Sequence, residues 1–232
     1  MKETYNEAIN QVYKDEGGYS NDVGDAGGPT MYGITIWDAR KYWKANATAD
    51  DVRNMPKSVA ADIYEQHYAH PLAYDQLPPG VDYAVLDYGI NSGIGRAPKV
   101  LQRIVGITPD GIMGPATIAA ANKYDPVKLI NAIYDERIAF LKGLGKPQFM
   151  KGWLSRCNRG RALALQLSTK YNKDFSTTTN PAHGTAGAIV VAGGIAASQY
   201  QGGSNAVYAI LLGTALIAIV AWFIVNQIHS RA

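Results

Sequence analysis

The sequence predicts a mainly α-helical protein with a small β-hairpin near its start and a membrane-spanning helix near its end. Apolar residues recur at helical spacing along most of the chain, a glycine-rich segment interrupts this pattern at residues 17–33, and an uncharged apolar run covers residues 206–225. Every acidic residue, and every Lys and Arg except Arg231, lies at or before Asp174. The chain of 232 residues therefore divides into a charged globular part and an almost uncharged tail.

The first predicted helix is followed by a long glycine-rich loop. Tyr5, Ile9 and Val12 share one helical face, and the helix should end at Glu16 because two glycines follow. The segment lacks the apolar region of a signal peptide. Residues 17–33 read GGYSNDVGDAGGPTMYG, and a loop of this length is typical of a functional site or a short hairpin. We expect a small, tight β-hairpin there.

Helical patterns with recognisable start signals continue as far as residue 172. Thr35 is a plausible N-cap, and Pro115 stands at the helix start, the position where proline is best tolerated. Val81, Val85, Leu86 and Ile90 are expected to form one buried stripe, and the tryptophans Trp37, Trp43 and Trp153 are expected in the core. Further helices are predicted at 57–70, 96–105, 126–142 and 147–172.

We divide the chain into four parts. Residues 1–93 form a first helical domain, and residues 94–174 form a second helical lobe. Residues 175–205 are a linker, dominated by Thr, Asn, Pro and Gly at 176–187, with a weak apolar run at 188–197. Residues 206–228 form the predicted transmembrane helix, since the uncharged run at 206–225 is long enough to cross a bilayer and has aromatic residues near its ends.

Composition excludes several classes of function. The net charge is only +3 and there are no basic runs, so a nucleic-acid partner is not indicated. One cysteine, Cys157, rules out an intrachain disulfide and a cysteine-rich zinc site. The four histidines show no metal-binding spacing. We therefore expect no metal and no cofactor.

Three polar residues of the glycine-rich region are candidates for catalysis: Glu16, Asp25 and Thr30. A carboxyl group at a helix end, followed by a loop that returns a second carboxyl group, can place both around one cleft. A carboxylic acid beside a carboxylate is what glycoside hydrolysis requires. On spacing alone, an ordinary helix end and an ordinary turn aspartate remain the alternative.

The motif EGGYSNDVGDAGGPTMYGIT at residues 16–35 resembles the opening signature of glycoside hydrolase family 108, a group of phage and bacterial N-acetylmuramidases. Residues 86–102, LDYGINSGIGRAPKVLQ, are similar to a later stretch of the same family. Residues 105–120, VGITPDGIMGPATIAA, resemble the predicted peptidoglycan-binding domain that follows this catalytic module. Together the resemblance covers roughly residues 5–170.

The resemblance implies a helical, lysozyme-like fold that cuts the β-1,4 bond between N-acetylmuramic acid and N-acetylglucosamine. Glu16 matches the catalytic glutamate and would be the general acid. By a looser likeness to the phage lysozyme group, Asp25 would stabilise the transition state or position water, and Thr30 would hold the water. Asp22 competes with Asp25 for this role.

A second set of residues is expected to bind the substrate: Tyr19, Asp22, Tyr32 and Asn91. Aromatic faces stack on sugar rings, and an amide both donates to and accepts from N-acetyl groups. The alternatives are packing tyrosines and an asparagine at a helix end. The lobe at 94–174 either grips peptidoglycan or only completes the fold, and we favour the second.

The expected partners are peptidoglycan, a lipid membrane through residues 206–225, and a holin. The expected location is the inner membrane of a bacterial host, with the catalytic domain acting on the periplasmic cell wall during phage-type lysis. A non-catalytic peptidoglycan-binding anchor and a lytic transglycosylase remain the alternatives. Inverting and retaining chemistry also both stay open, since they depend on the distance between the two carboxyl groups.

Overall fold

The computed structural model describes residues 3–21 and 27–172, which form a mainly helical domain with one two-stranded antiparallel sheet. Short 3₁₀-helical and π-helical segments also occur, at Tyr74–Gln76 and Glu65–Ala69. The α-helices and strands are, in chain order, α1 (Tyr5–Glu16), β1 (Thr30–Met31), β2 (Ile34–Thr35), α2 (Ile36–Tyr42), α3 (Ala49–Arg53), α4 (Lys57–Tyr64), α5 (Val81–Ser92), α6 (Arg96–Ile104), α7 (Pro115–Lys123), α8 (Pro126–Gly143) and α9 (Pro147–Tyr171).

The predicted hairpin after the first helix is confirmed. Strands β1 and β2 pair with Thr30 opposite Thr35, and the two-residue turn between them is Tyr32-Gly33. Both turn residues have positive φ, 53° at Tyr32 and 79° at Gly33, as a type I′ hairpin turn requires. Ser20 extends the pairing, since its N–H donates to the Thr30 carbonyl at 2.9 Å and its carbonyl accepts from the Thr30 N–H at 2.9 Å.

Helix α5 lies at the centre of the domain and contacts α1, α6, α8 and α9. The expected stripe on α5 is only partly right. Val81, Val85 and Leu86 are buried but Ile90 is partly exposed. The polar Asp82 and Asp87 are as buried as their apolar neighbours, at 1% exposure each. Because other helices surround α5 on nearly every side, this helix has no solvent face and its apolar periodicity is weak.

The helix predicted at 57–70 changes its hydrogen bonding part of the way along. The α-helical part ends at Tyr64, and a π-helical segment, Glu65–Ala69, continues the same course. The N–H of His70 donates to the carbonyl of Glu65 at 2.9 Å, five residues back, which is the π-helical spacing. Such wider turns occur frequently at functional sites.

The tryptophans divide between core and surface. Trp153 is 4% exposed, as expected for a core residue. The same expectation was wrong for Trp37 and Trp43, which are 61% and 36% exposed. Both are in or beside the short helix α2, whose buried residues are Ile36 and Ala39, so these indoles lie on its outer side.

The segment at 107–114 is a turn folded around one buried side chain, Gln102. The Gln102 amide donates to the Asp110 carboxylate at 2.7 Å, to the Ile112 carbonyl at 2.9 Å and to the Thr117 hydroxyl at 3.1 Å. Its oxygen accepts from the Gly111 N–H at 2.9 Å. These bonds give the segment a structural explanation, as a turn that leads into α7.

Among residues 3–21 and 27–172, no helix combines the length and the apolar character needed to span a bilayer. The predicted transmembrane helix at 206–228 and the whole of the predicted linker at 175–205, including the run at 188–197, lie outside the described residues.

We expect Gly80→Ala to destabilise the protein strongly. Gly80 has φ of +85° and caps α5, and a Cβ there would collide with the carbonyl of Ala164 in α9. Strain and overpacking together should lower the free energy of unfolding by at least about 2 kcal/mol, measured by urea denaturation. Gly145→Ala is the matched control, because Gly145 also has a positive φ, +63°, and a Cβ there has open space around it. Equal stability of the two variants would contradict the proposed close contact between α5 and α9.

Candidate active site

Glu16 is the last residue of α1, and its side chain is only 2% exposed. Its Oε1 accepts a hydrogen bond from Arg156 Nη2 at 2.6 Å, within a buried ion pair. Its Oε2 is also buried and has no hydrogen-bond partner among the described residues. The two oxygens of this carboxyl group are therefore unequal, since Oε1 is bound by Arg156 and Oε2 has no hydrogen-bond partner in the described part of the chain.

The hairpin turn presses directly on Glu16. A Cβ at Gly33 would come within 2.5 Å of the Tyr64 hydroxyl and 2.8 Å of Glu16 Cγ, so only glycine fits there. The Tyr64 hydroxyl in turn donates to the carbonyl of Tyr32 at 2.8 Å. Burial, with the nearby Glu16 charge, raises the pKa of Tyr64 well above its usual range. Tyr64 therefore remains a protonated donor that fixes the turn above the glutamate.

A second carboxylate, Asp87 of α5, shares the same arginine. Arg156 Nη2 also lies 3.3 Å from Asp87 Oδ1, while Asp87 Oδ2 accepts from Arg137 and, at 3.1 Å, from the Tyr134 hydroxyl. Burial by itself would raise the pKa of Asp87, but the two guanidinium groups offset this and lower it. Burial likewise opposes the charge on Arg156, yet Glu16 and Asp87 hold its pKa well above the usual value. Asp87 and Arg156 are therefore both charged at neutral pH.

The predicted water-holding residue, Thr30, is in strand β1 and 4% exposed. Its hydroxyl donates to the carbonyl of Gly28 at 2.9 Å. The hydroxyl oxygen is then oriented as an acceptor. The two predicted carboxylates of the loop, Asp22 and Asp25, lie outside the described residues.

The predicted sugar-binding tyrosines both belong to the hairpin region: Tyr32 is in the turn, and Tyr19 precedes Ser20, which pairs with β1. The Tyr32 ring stacks edge-on against Tyr13, with centroids 5.5 Å apart, and Tyr19 lies beneath the Arg53 guanidinium at 4.5 Å. The Tyr19 hydroxyl is buried and has no partner among the described residues. Both tyrosines are partly exposed, which leaves aromatic surface near the turn.

Asn91 lies on α5 one turn beyond Asp87, so both side chains leave the same face of that helix. It is 5% exposed, and its Oδ1 accepts weakly from the Ser92 hydroxyl at 3.4 Å. Its Nδ2 is buried without a hydrogen-bond partner in the described part of the chain. A buried amide donor of this kind is costly to leave unpaired and is suited to a ligand acceptor.

Sequence reasoning missed the residues that surround Glu16: Tyr64, Asp87, Arg137 and Arg156. The sequence did contain a sign that the two arginines are buried, because each lies at helical spacing from the buried apolar residues of its own helix. Arg137 follows Ile133 and Tyr134, and Arg156 follows Trp153. A charged residue on a buried helical face indicates a buried partner, but it does not identify that partner.

A helical domain with a hairpin after its first helix, and with a buried glutamate at the end of that helix, defines a lysozyme-like glycoside hydrolase. The comparisons with known proteins agree with this class. Residues 9–93 match the family Glycosyl hydrolase 108, and residues 96–158 match the family Predicted Peptidoglycan domain.

A solved structure, titled "Structure of Brucella abortus SagA", is 42% identical in sequence to this chain, with a TM-score of 0.67. The match covers 72% of this chain and 97% of the SagA chain. No curated protein matches the chain. With this identity and coverage, the chain belongs to the glycosyl hydrolase 108 family. It is a lysozyme-like glycoside hydrolase that acts on peptidoglycan.

We expect Gly33→Ala to lower the rate of peptidoglycan cleavage even where the variant remains folded, because the new Cβ pushes Glu16 and Tyr64 apart. A displacement of about 1 Å at a catalytic group costs about 10²-fold in rate. Gly106→Ala is the matched control, since Gly106 has a similar φ of +75° and open space around it. It should lose only about 1–2 kcal/mol of stability from backbone strain. Reducing-end release and thermal unfolding measure the two effects, and full activity of Gly33→Ala would contradict the predicted displacement.

Proposed function

We propose that this protein is an N-acetylmuramidase that hydrolyses the β-1,4 bond between N-acetylmuramic acid and N-acetylglucosamine in peptidoglycan. The observation that carries the proposal is the asymmetric environment of Glu16. Oε1 is held at 2.6 Å by Arg156, whereas the buried Oε2 has no partner among the described residues. An acid with one anchored oxygen delivers its proton from the other oxygen in a fixed direction.

In this proposal Glu16 protonates the glycosidic oxygen as the bond to the leaving sugar breaks. Asp25 stabilises the positive charge that develops on the other sugar, or directs the attacking water. Thr30 accepts a hydrogen bond from that water, which is consistent with a hydroxyl that already donates to Gly28. Water then adds to the anomeric carbon and gives up one proton to a carboxylate of the site, Asp25 or the deprotonated Glu16, so that the products are a reducing end and a free hydroxyl group.

The substrate-binding set comprises Tyr19, Asp22, Tyr32 and Asn91. The two tyrosines offer ring faces for sugar stacking, and the unpartnered Nδ2 of Asn91 is a donor for an N-acetyl carbonyl. The match of residues 96–158 to a predicted peptidoglycan domain supports a polymeric wall substrate.

We expect Glu16→Gln to lower the rate of reducing-end release from purified peptidoglycan by at least about 10²-fold, as the loss of a general acid requires. Asp15→Asn is the matched control, since Asp15 is the neighbouring carboxylate, is also shielded at 4% exposure, and pairs with Arg159 instead. It should retain most of the activity.

Mass spectrometry of the products separates the chemistries. Reducing N-acetylmuramic acid ends support hydrolysis, while anhydro-muramyl ends indicate a transglycosylase. Binding of peptidoglycan without any cleavage by the wild-type chain would overturn the proposal in favour of a non-catalytic anchor.

The two loop carboxylates are distinguished by single substitutions. We expect Asp25→Asn to reduce kcat by about 10²-fold or more, because it removes the charge that stabilises the transition state, and Asp22→Asn to act mainly on KM. Initial rates across a range of peptidoglycan concentrations provide both parameters. The reverse pattern would assign the catalytic role to Asp22.

Residues 206–225 are proposed to anchor the protein in the inner membrane of a bacterial host, with the catalytic domain acting on the periplasmic wall and a holin controlling access during phage-type lysis. The support is the length of this uncharged run. Fractionation tests the anchor: the full chain should stay in membranes after alkaline extraction, and deletion of 206–225 should release it. Release of the full chain would contradict it.

A further inference from the structure

Glu16 belongs to a buried cluster of four charged side chains, which we call the charge cluster: Glu16, Asp87, Arg137 and Arg156. Two carboxylates face two guanidinium groups, so the formal charges balance. The exposed fraction of each side chain is between 1% and 10%. Both carboxylates come from the segment that matches Glycosyl hydrolase 108, and both arginines come from the segment that matches the peptidoglycan domain.

We propose that Arg156 is a positioning residue for Glu16, and that Asp87 and Arg137 hold Arg156 in place. The inference rests on the proposed function. In this arrangement the second matched segment is part of the catalytic machinery, since it supplies the cation that orients the general acid. The lobe at 94–174 then has a role in catalysis whether or not its outer surface touches the wall.

The contacts explain how one arginine serves both carboxylates. Arg156 Nη2 lies 2.6 Å from Glu16 Oε1 and 3.3 Å from Asp87 Oδ1. The planar guanidinium group fixes the direction of its donors in a way that an ammonium group does not. With Oε1 held, the glutamate side chain keeps one orientation, and Oε2 is the oxygen that transfers the proton.

Asp87 has a distinct part in the reaction cycle. When Glu16 carries the proton that it will donate, it no longer balances the charge of Arg156. A buried arginine without a counter-ion is strongly unfavourable. In that state Asp87 is the one remaining carboxylate of the charge cluster and is shared by the two arginines: it lies 3.3 Å from Arg156 Nη2, while Arg137 and Tyr134 hold it in place.

A purely structural role for Arg156 would be to dock α9 on α1. The chain offers a neighbouring pair for comparison, since Arg159 of α9 binds Asp15 of α1 at 2.9 Å. That pair joins the same two helices one turn away and makes no contact with Glu16 in the described structure. A substitution of Arg159 therefore measures how much the docking of α9 on α1 alone contributes to activity.

The decisive experiment compares Arg156→Lys with Arg159→Lys in the full chain, using reducing-end release over a range of peptidoglycan concentrations. Arg156→Lys should lower kcat by about 10²-fold, as misplacement of a catalytic group does, with KM changed by less than about threefold. Arg159→Lys should keep both parameters. Equal kcat values for the two variants, or a rise in KM with unchanged kcat, overturn the inference.

A second pair of variants leaves all four residues of the charge cluster unchanged, in case Arg156→Lys does not fold. Tyr134→Phe removes the hydroxyl that donates to Asp87, and Tyr83→Phe removes a hydroxyl that is also buried but unpartnered among the described residues. Because Asp87 then holds Arg156 less firmly, kcat of Tyr134→Phe should fall by about fivefold, which corresponds to about 1 kcal/mol of transition-state stabilisation. Similar kcat values for the two variants overturn the inference.

Failure of the proposed function can be distinguished from failure of the inference about Arg156. A wild-type chain that releases no reducing ends overturns that function, and this inference with it. An active wild type, an inactive Glu16→Gln and unaffected Arg156→Lys and Tyr134→Phe variants overturn this inference alone.

Discussion

The buried ion pair between Glu16 and Arg156 is the interaction on which the rest of the structure depends. It joins the end of α1 to the middle of α9, and through Asp87 and Arg137 it also ties in α5 and α8. Burying four charges is unfavourable unless each one is matched at close range. The helices must therefore dock in one arrangement, because any slippage would leave a charge in the interior without its partner.

Such an arrangement serves catalysis as well as packing. The hairpin turn at Tyr32-Gly33 and the Tyr64 hydroxyl close over the glutamate, and glycine is needed at the point of closest approach. Water is excluded from the carboxyl group, so the charges around it interact more strongly than they would at the surface. With Oε1 bound to Arg156, Oε2 is the oxygen of Glu16 that has no hydrogen-bond partner among the described residues.

Much of the local structure was predictable. The end of α1 at Glu16, the hairpin, the N-cap at Thr35 and the proline at the start of α7 all follow from side chains within a few residues. The prediction was wrong for Trp37 and Trp43, because the hydrophobicity of an indole does not reveal which side of a short helix meets the core. The predicted buried stripe on α5 was too narrow, since a helix enclosed on nearly every side also buries polar residues such as Asp82 and Asp87.

The sequence by itself determined that a glutamate stands at a helix end before a glycine-rich hairpin, because caps, turns and glycines act over a few residues. It also carried the motif that relates the chain to glycosyl hydrolases. Only the tertiary structure decided what surrounds that glutamate, since Arg156 is 140 residues away along the chain. Charge pairing over such a separation depends on how four helices dock, and no local pattern encodes which carboxylate a buried arginine will meet.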